Sequence, residues 1–171
     1  MSLAQRPWVA QAALATPLGP ARIAATAQGL GGFWFDDQAH HPGPLKAPED
    51  PAHPVLRQTE RELARYWDDA QGTRFEVPLD LGGTEFQQAV WRALLGIACG
   101  AHSSYAAIAQ AIGNPRAVRA VGAAVGRNPV SLIVPCHRVL GSNGSLTGYA
   151  GGLHRKRDLL VREHVLSATL I

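Results

Sequence analysis

A cysteine and a histidine stand side by side in the second half of the chain, within the run Pro135-Cys136-His137-Arg138-Val139. A thiolate is a strong nucleophile, and a nearby base or positive charge favours its formation. Adjacent residues of an extended chain point to opposite faces, so contact between Cys136 and His137 needs a helical turn or a bridging water. A third group usually orients such a base, and Glu163 is an acidic candidate. This pattern predicts a thiol nucleophile, with a buried structural cysteine as the alternative.

Helices and one apolar segment lead up to this cysteine. Thr84 and Gln87 have the spacing of a capping box, which marks the start of a helix. Apolar residues at helical spacing, each run ended by glycine or a turn, predict three helices, over 84–100, 103–113 and 115–125. The last two are joined by a Gly-Asn turn, which is typical of a helix-turn-helix. The apolar segment 130–134 then leads into Cys136.

The third of these helices carries almost no side-chain bulk. Ala120, Gly122 and Ala123 are small, and the long polar side chains are those of Arg116 and Arg119. A helix that reads base edges in the major groove needs more long polar side chains than this. A smooth helix can instead press closely on a nucleic-acid backbone and a shallow groove, with one arginine as a probe. Tight packing inside a core is the alternative.

The first half of the chain mixes strands with one helix. Glycines and a proline-rich loop over 42–54 separate these elements, and apolar periodicity indicates the helix. The predicted strands lie over 21–26, 32–35 and 75–79. The predicted helix lies over 54–70. Leu81-Gly82-Gly83 is interpreted as a linker, so the expected domains are an α/β lobe over 1–80 and a mostly helical domain over 84–171.

Composition narrows the function classes. The 171 residues are 46% hydrophobic and 17% charged, which favours a folded core over disorder. No apolar run reaches the roughly 18 residues of a membrane helix, and two cysteines are not a disulfide framework, so a cytoplasmic, reducing setting is expected. Residues 1–80 contain 7 Lys and Arg against 10 Asp and Glu, whereas residues 81–171 contain 9 against 3. This basic second half suits a nucleic acid as well as it suits an ordinary solvated surface.

Read together, short motifs of the second half resemble the O6-alkylguanine-DNA alkyltransferases, a family also called methylated-DNA–protein-cysteine methyltransferases. The resemblance spans roughly 83–164 and is weak over the first 80 residues. The motifs that carry it are Ser104-Tyr105, Gly113-Asn114-Pro115, Arg119-Ala120-Val121-Gly122, Asn128-Pro129, Pro135-Cys136-His137-Arg138-Val139 and the run 146–153. It implies a ribonuclease-H-like α/β lobe and a mostly helical lobe with a winged helix-turn-helix.

The resemblance also implies a role for each matching residue. Cys136 would accept an alkyl group from O6 of a flipped guanine, and His137 would activate it through a water while Glu163 orients the imidazole. Tyr105 would donate a hydrogen bond to N3 of that guanine. Arg119 would enter the duplex and fill the gap that the base leaves.

Further positions follow from the same resemblance. Asn128 would be the hinge that ties the helix-turn-helix to the active-site segment. Main-chain groups at Cys136, Val139 and Ala150 would contact the base edge. The surface that faces DNA would comprise Tyr105, Arg116, Arg119, Ala120, Gly122 and Ala123.

The implied protein is a monomer that needs no cofactor, metal or protein partner. It acts once on double-stranded DNA containing O6-alkylguanine, since the product is a thioether that no residue is placed to hydrolyse. Activity on O4-alkylthymine stays open. Three alternatives are a non-catalytic lesion-binding relative, in which Cys136 would be replaced, a helix-turn-helix regulator, and a thiol hydrolase using Cys136 and His137.

Three features outside the motifs carry structural expectations. Cys99 is expected to be a small buried residue. Ser131 stands where some relatives have proline, and it is expected to alter the wall of the alkyl pocket. The run Arg155-Lys156-Arg157 is interpreted as a solvated helix face, with phosphate contact as an alternative.

Overall fold

In the computed structural model, which describes residues 2–168, the chain divides into two units. The first comprises Met1–Gly83 together with Pro129–Ser131, and the second comprises Thr84–Asn128 together with Leu132–Ile171. Strands dominate the first unit and helices the second, as expected for an α/β protein. Within the described residues, no helix is both long enough and apolar enough to cross a bilayer.

The first unit is built on a three-stranded antiparallel sheet. Its strands, in spatial as well as chain order, are β1 (Trp8–Thr16), β2 (Gly19–Thr26) and β3 (Gly29–Phe35). Strand β2 and part of β3 were predicted from the sequence, but β1 was not, because the alanine-rich β1 lacks clear alternation of apolar and polar residues. Every residue of β3 is buried, so this strand forms the centre of the unit's core.

One helix, α1 (Pro54–Asp68), packs on this sheet, and its buried face carries Leu56, Leu63 and Tyr66 together with two polar residues. The strand predicted over 75–79 is wrong, because this segment makes only an isolated bridge between Leu30 and Leu79. The buried carboxylate of Glu62 on α1 accepts hydrogen bonds from the backbone amides of Glu76 at 3.0 Å and Val77 at 3.2 Å. A side chain therefore satisfies donors that a strand would have paired with a neighbouring strand.

The second unit begins with a capped helix, α2 (Glu85–Leu95). The capping box is confirmed, because the side chains of Thr84 and Gln87 each accept the other's backbone amide. The helix ends at Leu95, not near Gly100, since the amide of Gly96 turns back to the carbonyls of the last turn. The indole of Trp91 donates to the carbonyl of Ala124 at 2.8 Å and joins α2 to α4 (Val118–Gly126).

The helix pair in this unit consists of α3 (Tyr105–Ala111) and α4, which pack against each other. Gly113 takes a φ of +75° in the turn between them, a conformation that favours glycine. The prediction that α4 begins at Pro115 is wrong. The amide of Ala117 closes a turn on the carbonyl of Asn114 at 3.0 Å, so Pro115 lies in that turn and α4 begins at Val118.

A short parallel pair of strands connects two distant parts of the second unit. Strand β4 (Ser103–Ser104) directly precedes α3, and β5 (Val139–Leu140) directly follows a 3-10 turn over Cys136–Arg138. Pairing of Ser103 with Val139 therefore brings the start of α3 close to the cysteine segment. The last helix, α5 (Leu153–Arg162), packs on the same turn.

Candidate active site

Cys136 lies at the first position of the 3-10 turn and is buried, with 4% of its surface exposed. The side-chain amide of Asn128 donates to the Cys136 sulfur at 3.1 Å and to the carbonyl of Val134 at 2.8 Å. Asn128 is itself buried. One amide group thus fixes the sulfur and the backbone two residues before it.

Burial raises the pKa of the Cys136 thiol above its ordinary value, because a thiolate loses its hydration there. The hydrogen bond from Asn128 and the positive charge of Lys156 both act against burial and lower this pKa. The site therefore holds a protonated thiol at neutral pH and supplies groups that stabilise the thiolate once the proton leaves.

His137 and Arg138 share one buried carboxylate. Nε2 of His137 lies 2.8 Å from Oε1 of Glu163, while the guanidinium of Arg138 donates to both oxygens of Glu163 at 2.8 and 2.9 Å. Burial alone would raise the pKa of Glu163, but the hydrogen bonds from His137 and Arg138 outweigh burial and lower this pKa to about 2. Glu163 is therefore a permanent anion that orients the imidazole.

The two ring nitrogens of His137 differ in protonation. Because the Glu163 carboxylate can only accept, Nε2 of His137 carries the hydrogen and Nδ1 presents a lone pair. Nδ1 is buried, and no hydrogen-bond partner for it lies among residues 2–168. Burial lowers the pKa of His137, so the imidazole is neutral and can accept a proton at Nδ1.

Lys156 contradicts the solvated face predicted for Arg155-Lys156-Arg157. Lys156 is fully buried, and its ammonium group donates to the carbonyls of Val139 at 2.6 Å, Thr147 at 2.8 Å and Gly148 at 3.1 Å. Burial lowers its pKa to about 8, so the side chain is mainly protonated at neutral pH. Arg155 is buried too, and it donates to the carbonyl of Gly151 at 2.9 Å.

Arg138 and Lys156 were not predicted as site residues, although the sequence contains a signal for each. Arg138 stands inside the motif that carried the resemblance. Lys156 shares a helical stripe with Leu159, Leu160 and Glu163, at spacings of three, four and seven residues. All four residues of this stripe are buried, so the period of the helix identified the inward face although the local charge suggested solvent.

Tyr105 begins α3, directly after β4, and its side chain is half-buried. Its hydroxyl donates to the carbonyl of Thr147 at 3.2 Å, and the same carbonyl accepts from Lys156. Ser104 caps the helix by accepting from the amide of Ala107 at 3.1 Å. The tyrosine is thus held at the start of a capped helix that β4 pairs with the strand following the Cys136 turn.

Most of the predicted DNA-facing residues are exposed, at the α3–α4 turn and along α4. The exposed members are Arg116, Arg119, Ala120 and Ala123. Gly122 is half-buried, and a Cβ atom there would lie 3.8 Å from Cδ1 of Tyr105, an ordinary contact. The structure therefore gathers an exposed arginine-bearing surface and Tyr105 on the same pair of helices.

Other predicted positions are placed as follows. Val139 is buried, with its carbonyl on Lys156, and Ala150 is half-buried just before α5. Cys99 is half-buried, so the prediction of a buried residue is wrong. Ser131 is buried and its hydroxyl donates to Gln38 at 3.1 Å, and its effect on the alkyl pocket stays a prediction. Within residues 2–168, no three His, Cys, Asp or Glu side chains are grouped to hold a metal ion.

Together, these contacts define a buried thiol that is adjacent in sequence to a histidine–carboxylate pair, in a unit that also carries an exposed helix pair. Comparisons with known proteins agree with this class of site. A family model described as "6-O-methylguanine DNA methyltransferase, DNA binding domain" matches residues 85–165. The methylated-DNA–protein-cysteine methyltransferase of Mycobacterium bovis is 45% identical over 148 residues, which cover 86% of this chain and 88% of that protein.

More distant relatives and solved structures extend the similarity to both units. The methylated-DNA–protein-cysteine methyltransferase of Haemophilus influenzae is 40% identical over 150 residues, covering 88% of this chain and 83% of that protein. A crystal structure of Mycobacterium tuberculosis OGT in complex with DNA matches with a TM-score of 0.81 and 40% identity, covering 95% of this chain and 98% of that one. The chain belongs to the methylated-DNA–protein-cysteine methyltransferase family, which confirms the resemblance found in its motifs.

The buried charge of Lys156 gives a prediction for thiol reactivity. Lys156→Met removes a positive charge that favours the thiolate, so the pKa of Cys136 rises and its reaction at neutral pH slows. We expect a loss of about threefold or more in the rate of alkylation by iodoacetamide at pH 7, with the pH–rate profile moved to higher pH. Arg157→Met, one residue along α5, is the control. Overlapping profiles for Lys156→Met and the unmodified protein would contradict this role.

Proposed function

We propose that this chain repairs DNA by moving the alkyl group of O6-alkylguanine onto Cys136, once per protein molecule. As a member of its family it is a DNA-repair methyltransferase, and DNA is its partner. The observation that carries the assignment to Cys136 is the buried sulfur held by Asn128 beside the His137–Glu163 pair. A structural cysteine would have no need of an adjacent neutral imidazole with its lone pair unused.

The proposed transfer needs only the side chains of this protein and the alkylated base. The thiol proton passes to Nδ1 of His137, through a water as the resemblance implies, and Glu163 stabilises the imidazolium that forms. The Cys136 sulfur then attacks the alkyl carbon. A sulfur–carbon bond forms, the carbon–oxygen bond at O6 breaks, and its electron pair stays on the guanine. Neither an oxidant nor a cofactor is required, and none is proposed.

Tyr105 and the backbone bind the leaving base. The Tyr105 hydroxyl leaves the carbonyl of Thr147 and donates to N3 of the guanine as negative charge develops there. Main-chain groups at Cys136, Val139 and Ala150 contact the base edge, and Lys156 fixes the Val139 carbonyl. The product is a thioether with no group placed to hydrolyse it, so the protein is consumed.

The base must leave the duplex before its O6 can reach a buried sulfur. Extrusion costs a few kcal/mol, and least for a damaged, poorly paired base. We assign the wedge that stabilises the open duplex to Arg119, on the exposed face of α4 that also carries Arg116, Ala120, Gly122 and Ala123. The small residues of this face let α4 approach the sugar–phosphate backbone closely.

Several finer features belong to the same proposal. The α3–turn–α4 pair is the helix-turn-helix of a winged domain over 84–171, and the 1–80 lobe is ribonuclease-H-like. Asn128 is the hinge between that helix pair and the cysteine segment. The protein acts as a cytoplasmic monomer on duplexes containing O6-alkylguanine, without a required protein partner or metal. Cys136 itself argues against the alternative of a lesion-binding relative that only signals to other repair proteins.

Replacing the acceptor separates recognition from chemistry. Cys136→Ala should bind a duplex containing O6-methylguanine as the unmodified protein does, yet transfer no methyl group, because only the nucleophile has been lost. Binding is measured by fluorescence anisotropy and transfer by loss of O6-methylguanine from the duplex. Cys99→Ala, the matched control, should transfer normally. Methyl transfer by Cys136→Ala would contradict the assignment.

The wedge role of Arg119 is tested by comparing two substrates. Arg119→Ala should slow transfer from duplex DNA by about tenfold or more, since the extruded state loses its support, and leave transfer from free O6-methylguanine base nearly unchanged. Single-turnover rates on both substrates are the measurement. Arg127→Ala removes another exposed positive charge, just beyond α4, and is the control. An equal effect of Arg119→Ala on both substrates would exclude a wedge.

A further inference from the structure

Three residues next to Asn128 belong to the first unit although the chain on either side belongs to the second. This segment, Pro129–Ser131, adds to the free edge of β3. The amide of Phe33 donates to the carbonyl of Pro129 at 2.9 Å, and the amide of Ser131 donates to the carbonyl of Phe33 at 3.0 Å. The segment is thus held as a short parallel strand on a sheet that lies far from it in sequence.

A buried side-chain hydrogen bond secures the end of this segment. The carbonyl oxygen of the Gln38 side chain accepts from the backbone amide of Phe35 at 2.9 Å and from the hydroxyl of Ser131 at 3.1 Å. Gln38 and Ser131 are both buried, at 7% and 2% exposure. Gln38 therefore ties Ser131 to the end of β3, in addition to the backbone bonds.

Leu132, the residue after this segment, has an unusual backbone conformation that indicates a chain fixed on both sides. Leu132 is buried and has a φ of +68°, in the left-handed region that branched apolar residues rarely adopt. Such a conformation persists where the surroundings fix the chain on both sides. Ser131 is fixed by Gln38 and β3 on one side, and the carbonyl of Val134 accepts from Asn128 on the other.

We propose that Gln38 and Ser131 are positioning residues for alkyl transfer. By fixing Pro129–Ser131 on β3 they fix the residue directly before it, Asn128, whose amide donates to the Cys136 sulfur. The first unit would then control the reactivity of the thiol through three residues of its own sheet. This inference rests on the proposed role of Cys136 as the acceptor.

Ser131→Ala tests the inference, because it removes the hydroxyl and leaves the backbone pairing with β3 intact. With Asn128 held less firmly, the thiolate loses part of its hydrogen bond and the pKa of Cys136 rises. We expect methyl transfer to slow by about threefold or more, together with a pH–rate profile for iodoacetamide moved to higher pH. The matched control is Thr59→Val, which removes a buried hydroxyl of the same unit that donates to the carbonyl of Val55 at 2.8 Å.

All variants are measured well below their melting temperatures, which are recorded in parallel. Gln38→Leu should slow transfer and move the pH–rate profile as Ser131→Ala does. Gln38→Glu keeps an oxygen that can accept from the amide of Phe35 and the hydroxyl of Ser131, so its pH–rate profile should lie between those of Gln38→Leu and the unmodified protein. The inference is overturned if Ser131→Ala keeps the thiol profile and transfer rate of the unmodified protein, or if Thr59→Val slows transfer equally. Failure of the unmodified protein to methylate Cys136 would instead overturn the proposed function, while the iodoacetamide profiles would still test the positioning.

Discussion

Burial of ionisable groups around one sulfur atom is the constraint on which the rest of the site depends. Cys136, His137, Lys156 and Glu163 are all buried, and a charge taken out of water is tolerated only with close partners. Glu163 meets this requirement by binding His137 and Arg138, and Lys156 meets it by binding three carbonyls. These partners come from the cysteine turn, from the loop before α5 and from α5 itself. Satisfying the charges therefore also brings together the Cys136 turn, the His137 imidazole and the loop carbonyls that the proposed function uses.

The second requirement is that a buried sulfur must meet an atom that is normally hidden in duplex DNA. In the proposed function the same unit meets this requirement with α4, a helix whose exposed face has small side chains and carries Arg119, the proposed wedge. Tyr105 connects the two regions, because it starts α3 beside α4 and also bonds the Thr147 carbonyl that Lys156 holds. Hydrogen bonds within one unit thus join the proposed DNA-facing helices to the cysteine site.

Much of this arrangement could be predicted from residue types and spacing, and the errors have physical causes. The capping box at Thr84, the helix pair and the Cys136–His137–Glu163 set were accessible because each depends on local pattern or motif. The prediction that Lys156 is solvent-exposed was wrong. Three adjacent basic residues suggest an exposed surface, whereas the helical period of α5 decides which of its side chains are buried. The strand predicted over 75–79 was wrong because the carboxylate of Glu62, which is distant in sequence, accepts hydrogen bonds from two backbone amides of this segment. The anchoring of Ser131 by Gln38 was inaccessible, since it joins residues 93 positions apart.

The most direct test of the account is the intact mass of the protein before and after incubation with a duplex containing O6-methylguanine, followed by mapping of the modified peptide. The account predicts a gain of one methyl group per protein, located on the peptide that contains Cys136, with no further gain at excess substrate. An unchanged mass together with tight binding to the same duplex would contradict it and would identify a lesion-binding protein instead.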